Sequence, residues 1–318
     1  MVVSSGFYER KNWDRFVWMG SRESQSLLKR CLDMELARSV QNSMTAGILA
    51  SFMVITLISS TVAQAGAEQN LFARASPSST QVVDHSAWDR LLKTYVKPGS
   101  DGLNRVDYAA FRRSGHNELK HYLRELEKID PRKLSRAEQF ALLANLYNAQ
   151  TIDIVLEHYP VKSIKDISLG GGLISVFSGG PWKSKVLKMK GVELSLDDIE
   201  HGILRPIFKD PRVHYAVNCA SIGCPNLGIE AFVGAKLNQQ LDAAARAYVN
   251  QPRGVRIRGS NVAVSSIYSW FKADFGGTDR AVVAHVRKYA SPRLAQKLRS
   301  ASSINYQTYD WALNDARR

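Results

Sequence analysis

The stretch Ser135-Arg-Ala-Glu-Gln-Phe-Ala-Leu-Leu-Ala-Asn-Leu-Tyr-Asn-Ala-Gln-Thr-Ile-Asp-Ile-Val-Leu-Glu-His-Tyr-Pro160 decides the fold. Ser135 and Glu138 have capping-box spacing, and Tyr159-Pro160 supplies a stop. Between them, apolar residues from Phe140 through Leu143, Leu146, Tyr147, Ile152 and Ile154 to Val155 cover nearly every side of a helix. Such a helix has no face to offer water, so it must lie inside other elements. The same stretch puts Asn145 and Asn148, three residues apart, on one face in apolar company. A buried amide left without a hydrogen bond costs about 1–3 kcal/mol. Each amide therefore either satisfies neighbouring backbone or serves as an oxyanion or substrate donor.

Working outward, Asp84 is placed to cap a helix bearing Trp88, Leu91, Leu92 and Tyr95, and Pro98-Gly99 ends it. Leu119, Tyr122, Leu123, Leu126 and Ile129 mark an amphipathic helix closed by Asp130-Pro131. Downstream, Val186–Leu194 reads as a hairpin turning near Gly191, and Val255–Ile257 with Val262–Val264 as a second. Helices follow over 237–248, after Ser265/Ser266, and over about 278–299, and a partly buried strand closes the chain near 304–314. The sum is an α+β fold, several helices around a small, mostly antiparallel sheet, in a single globular domain over 84–318.

Upstream of this domain, residues 1–43 form a polar extension and 44–65 carry no charge, ending in the small-x-small pattern Ala63-Gln64-Ala65. That pattern predicts a signal peptide cleaved after Ala65, with initiation at Met34; the rival is a signal anchor. Residues 66–83, rich in Ser, Ala and Pro, read as a flexible linker. Both alternatives export the domain, to the periplasm or to a membrane anchor facing it. Any membrane contact would then run through 44–65. The chain has 318 residues with 43 Lys+Arg against 29 Asp+Glu, a formal charge of +14. The basic residues are scattered without a run or a basic–aromatic stripe, so nucleic acid is not an expected partner. An envelope small molecule, a peptide or a glycan is the expected kind of ligand.

The chemistry concentrates in Val213-His-Tyr-Ala-Val-Asn-Cys-Ala-Ser-Ile-Gly-Cys-Pro-Asn-Leu227. Alternation of Val213, Tyr215 and Val217 predicts a buried strand ending at Cys219, with a turn at Gly223-Cys224-Pro225. Cys31 precedes the signal, which leaves Cys219 and Cys224 as an even pair in an exported domain. They are candidates for a disulfide. Alternatively, Cys219 is a thiolate nucleophile with His214 or His201 as base and Asp197, Asp198 or Asn218 to orient the imidazole. Asp197, His201 and Arg205 recur every four residues on a helix capped by Ser195, as an ion-pair ladder or as the polar wall of a site. A metal site from His201, His214 and Cys219 lacks any paired ligand spacing. The glycine-rich stretch 168–180 lacks the G-K-[ST] of a phosphate loop and the dinucleotide fingerprint, so neither a metal nor a cofactor is expected.

Five motifs in order carry a family resemblance: Gly102-Leu-Asn-Arg-Val-Asp-Tyr108, Leu143-Ala-Asn-Leu-Tyr-Asn-Ala149, Ser195-Leu-Asp-Asp-Ile-Glu-His201 with Leu204-Arg205, Asp210 to Pro225, and Ser266-Ile-Tyr-Ser-Trp-Phe-Lys-Ala-Asp-Phe275. Together they resemble the bacterial and plant family called domain of unknown function 547. The resemblance implies a fold and an exported bacterial protein, but no reaction. Three functional readings stay open: a cysteine-dependent hydrolase or acyl transferase, a binding domain with a Cys219–Cys224 loop, and a dithiol redox protein.

Overall fold

The structure, a computed structural model, describes residues 70–169, 180–258, 261–300 and 304–317. The expected extension, signal and Cys31 lie outside the described residues, as do residues 66–69 and most of the glycine-rich stretch. In chain order come α1 (Ser86–Tyr95), β1 (Val96–Pro98), β2 (Asn104–Val106), α2 (Tyr108–Ser114), α3 (His116–Glu127) and α4 (Arg136–His158). Then follow β3 (Leu187–Met189), β4 (Val192–Leu194), a wide helix of π type α5 (Asp198–Phe208), and a helical turn α6 (Val213–Ala216). The rest is α7 (Leu237–Val249), β5 (Val255–Arg258), β6 (Asn261–Val264), α8 (Ile267–Trp270), α9 (Asp279–Tyr289), α10 (Pro292–Lys297) and β7 (Asn305–Tyr306).

The predicted central helix is α4. Ser135 Oγ accepts from Glu138 N at its start, and every residue from Glu138 to Ile152 is buried. Helices α2, α3 and α5 pack around it. Residues 70–83 also join this core, which moves the start of the folded part upstream of Asp84 and removes most of the expected linker. Leu71, Phe72 and Val83 are buried. Arg136 donates to the carbonyls of Phe72 and Ala73 at 2.7 and 2.9 Å, and Gln139 to that of Arg74 at 2.7 Å. The segment is poor in apolar residues, but polar side chains of α4 take up its backbone groups.

The α+β class holds, with a difference in the sheet. The strands make three small sheets: the antiparallel pairs β1-β2 and β3-β4, and β5-β6-β7 with β7 parallel to β6. In the β3-β4 hairpin, Lys190 and Gly191 both take positive φ, 50° and 87°, as a two-residue turn of this hand requires. A second difference concerns Val213–Val217, predicted as a strand. Val213, His214, Tyr215, Ala216 and Val217 are all buried, so alternation carried no information about one face. Asp210 starts a turn by accepting from Arg212 N at 2.9 Å, and Val213 N donates to Asp210 O.

Two hydrophobic clusters result, one around α4 and a second formed by α7, α8, α9 and β5-β6. The C-terminal tail stitches them to the cysteine loop. Gly223 N donates to Asp310 O, Ile222 N to Ala312 O, Asn314 N to Ala220 O and Ala316 N to Val106 O. The described residues fall in one compact unit. No helix among them is long and apolar enough to cross a membrane.

Candidate functional site

A cavity of about 270 Å³ opens where side chains of both clusters meet the cysteine loop. Tyr147 of α4 forms its back, and α5 contributes Glu200 and His201, with Asp197 just before that helix. His214, Val217, Cys219, Cys224 and Pro225 come from α6 and the loop after it. Aromatic walls are supplied by Trp182, by Trp270 and Phe271 of the α8 region, and by Tyr309 and Trp311 of the tail. Trp270 and Trp311 stack at 5.8 Å, and Tyr309 lies 4.7 Å from Trp311. Trp270 is 50 % exposed, so it forms a lip of the cavity.

Cys219 and Cys224 are joined by a disulfide with Cα atoms 6.3 Å apart. Their loop is built by side chains that replace secondary structure. Asn218 Oδ1 accepts from Ala220 N at 2.9 Å and its Nδ2 donates to Pro225 O at 2.6 Å. Ala220 sits at φ 57°, a left-handed conformation that this local amide bond helps hold. Gly223 is required by close approach, since a Cβ there would meet the Tyr309 ring at 2.9 Å. Cys224 Sγ accepts from Cys219 N at 2.9 Å and from Tyr309 OH at 3.1 Å. Burial pushes the Tyr309 phenol well above its ordinary value, so it acts as a hydroxyl donor.

The sequence-predicted residues divide. Of the two readings open for Asn145 and Asn148, the contacts fit the first, satisfaction of neighbouring backbone, and not a donor in the cavity. Asn145 bonds both Phe232 O (2.8 Å) and Phe232 N (3.0 Å), and Asn148 bonds Ala216 O (2.9 Å) and Asn218 N (2.8 Å). The oxygen and the nitrogen of each amide are engaged by backbone, and neither side chain lines the cavity. Asp197, His201, His214 and Cys219 converge on the cavity. Arg205 stands behind it. Its guanidinium pairs with Asp274 through Nε at 2.6 Å and Nη2 at 3.1 Å, donates from Nη1 to His201 Nδ1 at 3.1 Å, and lies 4.9 Å over Phe271. The expected row along α5 is therefore neither a surface ladder nor a single wall. It is wall at Asp197 and His201 and support at Arg205.

Asp274 and Glu200 are the residues that sequence reasoning passed over. Asp274 Oδ2 accepts from His214 Nε2 at 2.7 Å. The bonds from His214 and then Arg205 hold its carboxyl far below the usual range, against partial burial. His214 is buried and stacks on Phe271 at 4.1 Å and 14°. Its other nitrogen, Nδ1, is 3.8 Å from Glu200 Oε1, which is itself 4.0 Å from His201 Nδ1. Burial, and then the nearby Glu200 carboxylate, raise the Tyr147 phenol well above its ordinary value. The signals were present in the sequence, Glu200 beside His201 and Asp274 inside the Ser266–Phe275 motif. Nothing local joined them to His214, since 60 residues separate His214 from Asp274.

At α5, Ser195 and Asp198 exchange hydrogen bonds, with Ser195 N donating to Asp198 Oδ2 at 2.7 Å and Asp198 N to Ser195 Oγ at 3.1 Å. Burial would raise the Asp198 carboxyl, but Lys185 and Ser195 hold it below its ordinary value. Away from the cavity, His116, Asp153 and Glu157 cluster closely enough to share an ion, but Lys120 already pairs with Glu157.

No curated protein and no solved structure matches the chain. A family model does, over residues 131–249, a stretch that holds α4, α5, α6, the cysteine loop and α7. Over that stretch the chain matches the family described as protein of unknown function, DUF547.

Proposed function

We propose that the protein binds a small organic ligand in the cavity, and that the Cys219–Cys224 bridge fixes the loop forming one wall. The observation that carries this reading is the convergence of aromatic side chains with Asp197, Glu200, His201 and His214 on one open cavity. Ligand sites combine apolar walls with a few convergent polar groups in this way. Three of the chain's six tryptophans (Trp182, Trp270 and Trp311) line the cavity, so occupancy is read directly by fluorescence. Titration with small glycans, short peptides and aromatic acids is expected to quench that emission saturably for one class. Trp270→Ala is expected to weaken the response at least tenfold. Saturable binding that survives the substitution unchanged places the ligand elsewhere.

A second reading, a thiol enzyme with Cys219 as nucleophile and His214 or His201 as base, draws on Cys219 lining the same cavity as both imidazoles. A dithiol redox protein would use the same pair. Both need the bridge to open, whereas the binding reading needs it closed. Alkylation before and after reduction, read by mass spectrometry, separates them: two free thiols favour the enzyme and a bridge resistant to mild reduction favours the wall. Export to an oxidising compartment accompanies the closed bridge. Cell fractionation with the mass of the mature chain tests it, a cytoplasmic location overturning it and cleavage after Ala65 supporting it.

A further inference from the structure

We propose that the cavity hydrolyses carboxylic esters without using a cysteine, with His214 as general base and His201 as hydrogen-bond donor to the carbonyl oxygen. The proposal rests on the reading of this cavity as the ligand site and adds to it a reaction.

The two imidazoles are fixed with opposite polarity. His214 Nε2 faces the Asp274 carboxylate at 2.7 Å, so its hydrogen is on Nε2 and, in the neutral ring, Nδ1 presents a lone pair. His201 is the reverse. Arg205 is always protonated and donates to His201 Nδ1 at 3.1 Å, which leaves the hydrogen on Nε2. Both rings line one cavity. Asp274 cannot swing away, because Arg205 grips it with two nitrogens, and the His214 ring cannot turn, because Phe271 stacks on it. This is the base–orienter geometry of hydrolytic sites, built here from imidazole and carboxylate alone.

Glu200 adds the partner for water. Its Oε1 lies 3.8 Å from His214 Nδ1, too far for a direct bond. Two acceptors at that separation are within reach of the two O–H bonds of one water, which leaves the water's lone pairs directed at a ligand. Water oxygen then bonds to the ester carbonyl carbon as His214 Nδ1 takes its proton, and the carbonyl π electrons move to the oxygen faced by His201 Nε2–H. When the C=O re-forms, the bond to the alkoxy oxygen breaks and the alkoxide takes the proton back from His214. The sum is ester plus water to acid plus alcohol. An ester suits a single base, since its leaving oxygen needs only that one returned proton, and the aromatic walls favour an aryl or acyl group.

The test uses the full chain without reductant, in the presence of iodoacetamide, on a series of aryl acetates and butyrates. Saturable hydrolysis is expected, with a normal solvent deuterium isotope effect. His214→Ala is expected to lower kcat about 100-fold or more and to regain activity with added imidazole. Asp274→Asn, a positioning change, is expected to lower kcat at least tenfold with KM within about twofold. Absence of saturable turnover, absence of the isotope effect, or a His214→Ala enzyme of full activity overturns the proposal. Binding of the alcohol product, followed by tryptophan fluorescence, separates the two readings. Binding without turnover overturns the hydrolysis and leaves the ligand site, and absence of binding overturns both.

Discussion

Two pairs of polar side chains, the buried Asn145 and Asn148 and the buried His214 with the half-buried His201, have opposite fates. Asn145 and Asn148 on α4 spend every amide atom on backbone groups of other segments. His201 and His214 each spend one nitrogen on a charged partner and turn the rest of the ring to a cavity. The first pair holds strands of chain that have no regular structure of their own, including the approach to Cys219. The second pair is held. Burial of a polar residue therefore does not mark a site; an unspent hydrogen-bonding capacity facing a ligand-sized space does.

The sharpest way to break this contrast is at Asn148. Asn148→Leu orphans Ala216 O and Asn218 N together and is expected to cost about 2–6 kcal/mol by urea unfolding, at about 1–3 kcal/mol per buried orphan. A loss below 1 kcal/mol would mean that the amide is not a structural clamp.

His85 supplies an intermediate case. Its Nδ1 meets Tyr122 OH at 2.6 Å, and its Nε2 has no partner among the described residues. Burial pushes its pKa down from 6.5 to about 4, and burial followed by Lys288 does the same to His285. A pKa lower in the folded state means that protons favour the unfolded chain. The stability His85 protects is complete above about pH 6.5 and is lost as pH falls toward 4. That loss is about 2–3 kcal/mol for a shift of this size. His85→Phe is expected to flatten the fall in stability between pH 6.5 and 4, leaving the share due to His285. An unchanged slope would show that His85 is not buried neutral.

Opening the bridge tests the wall of the cavity. Cys219→Ala with Cys224→Ala is expected to lower stability by about 2 kcal/mol, the loop entropy of so short a closure. The smallest stability effect is expected at Trp270. Trp270→Ala should stay within about 0.5 kcal/mol of the wild type, as surface substitutions do. Its ligand response should nevertheless collapse, and a large drop in stability instead would make Trp270 a core residue.

The sequence alone determined what depends on near neighbours. Apolar residues on all sides of 136–158 forced a buried helix, Ser135 capped it, and Gly191 marked a hairpin turn. Of the site candidates it named, Asp197, His201, His214 and Cys219 share one cavity, and Asn145, Asn148 and Arg205 do not line it. Only the tertiary structure decided the rest. Val213–Ala216 became a helical turn because every residue there is buried, so no periodicity could speak for one face. The amides of Asn145 and Asn148 were assigned by backbone groups 68 to 87 residues away. Asp274 met His214 across 60 residues, and Tyr309 and Trp311 reached the cavity from the tail. Local pattern fixes which residues must be buried. Which hydrogen bonds they complete, and which they leave for a ligand, is settled by contacts that cross the whole chain.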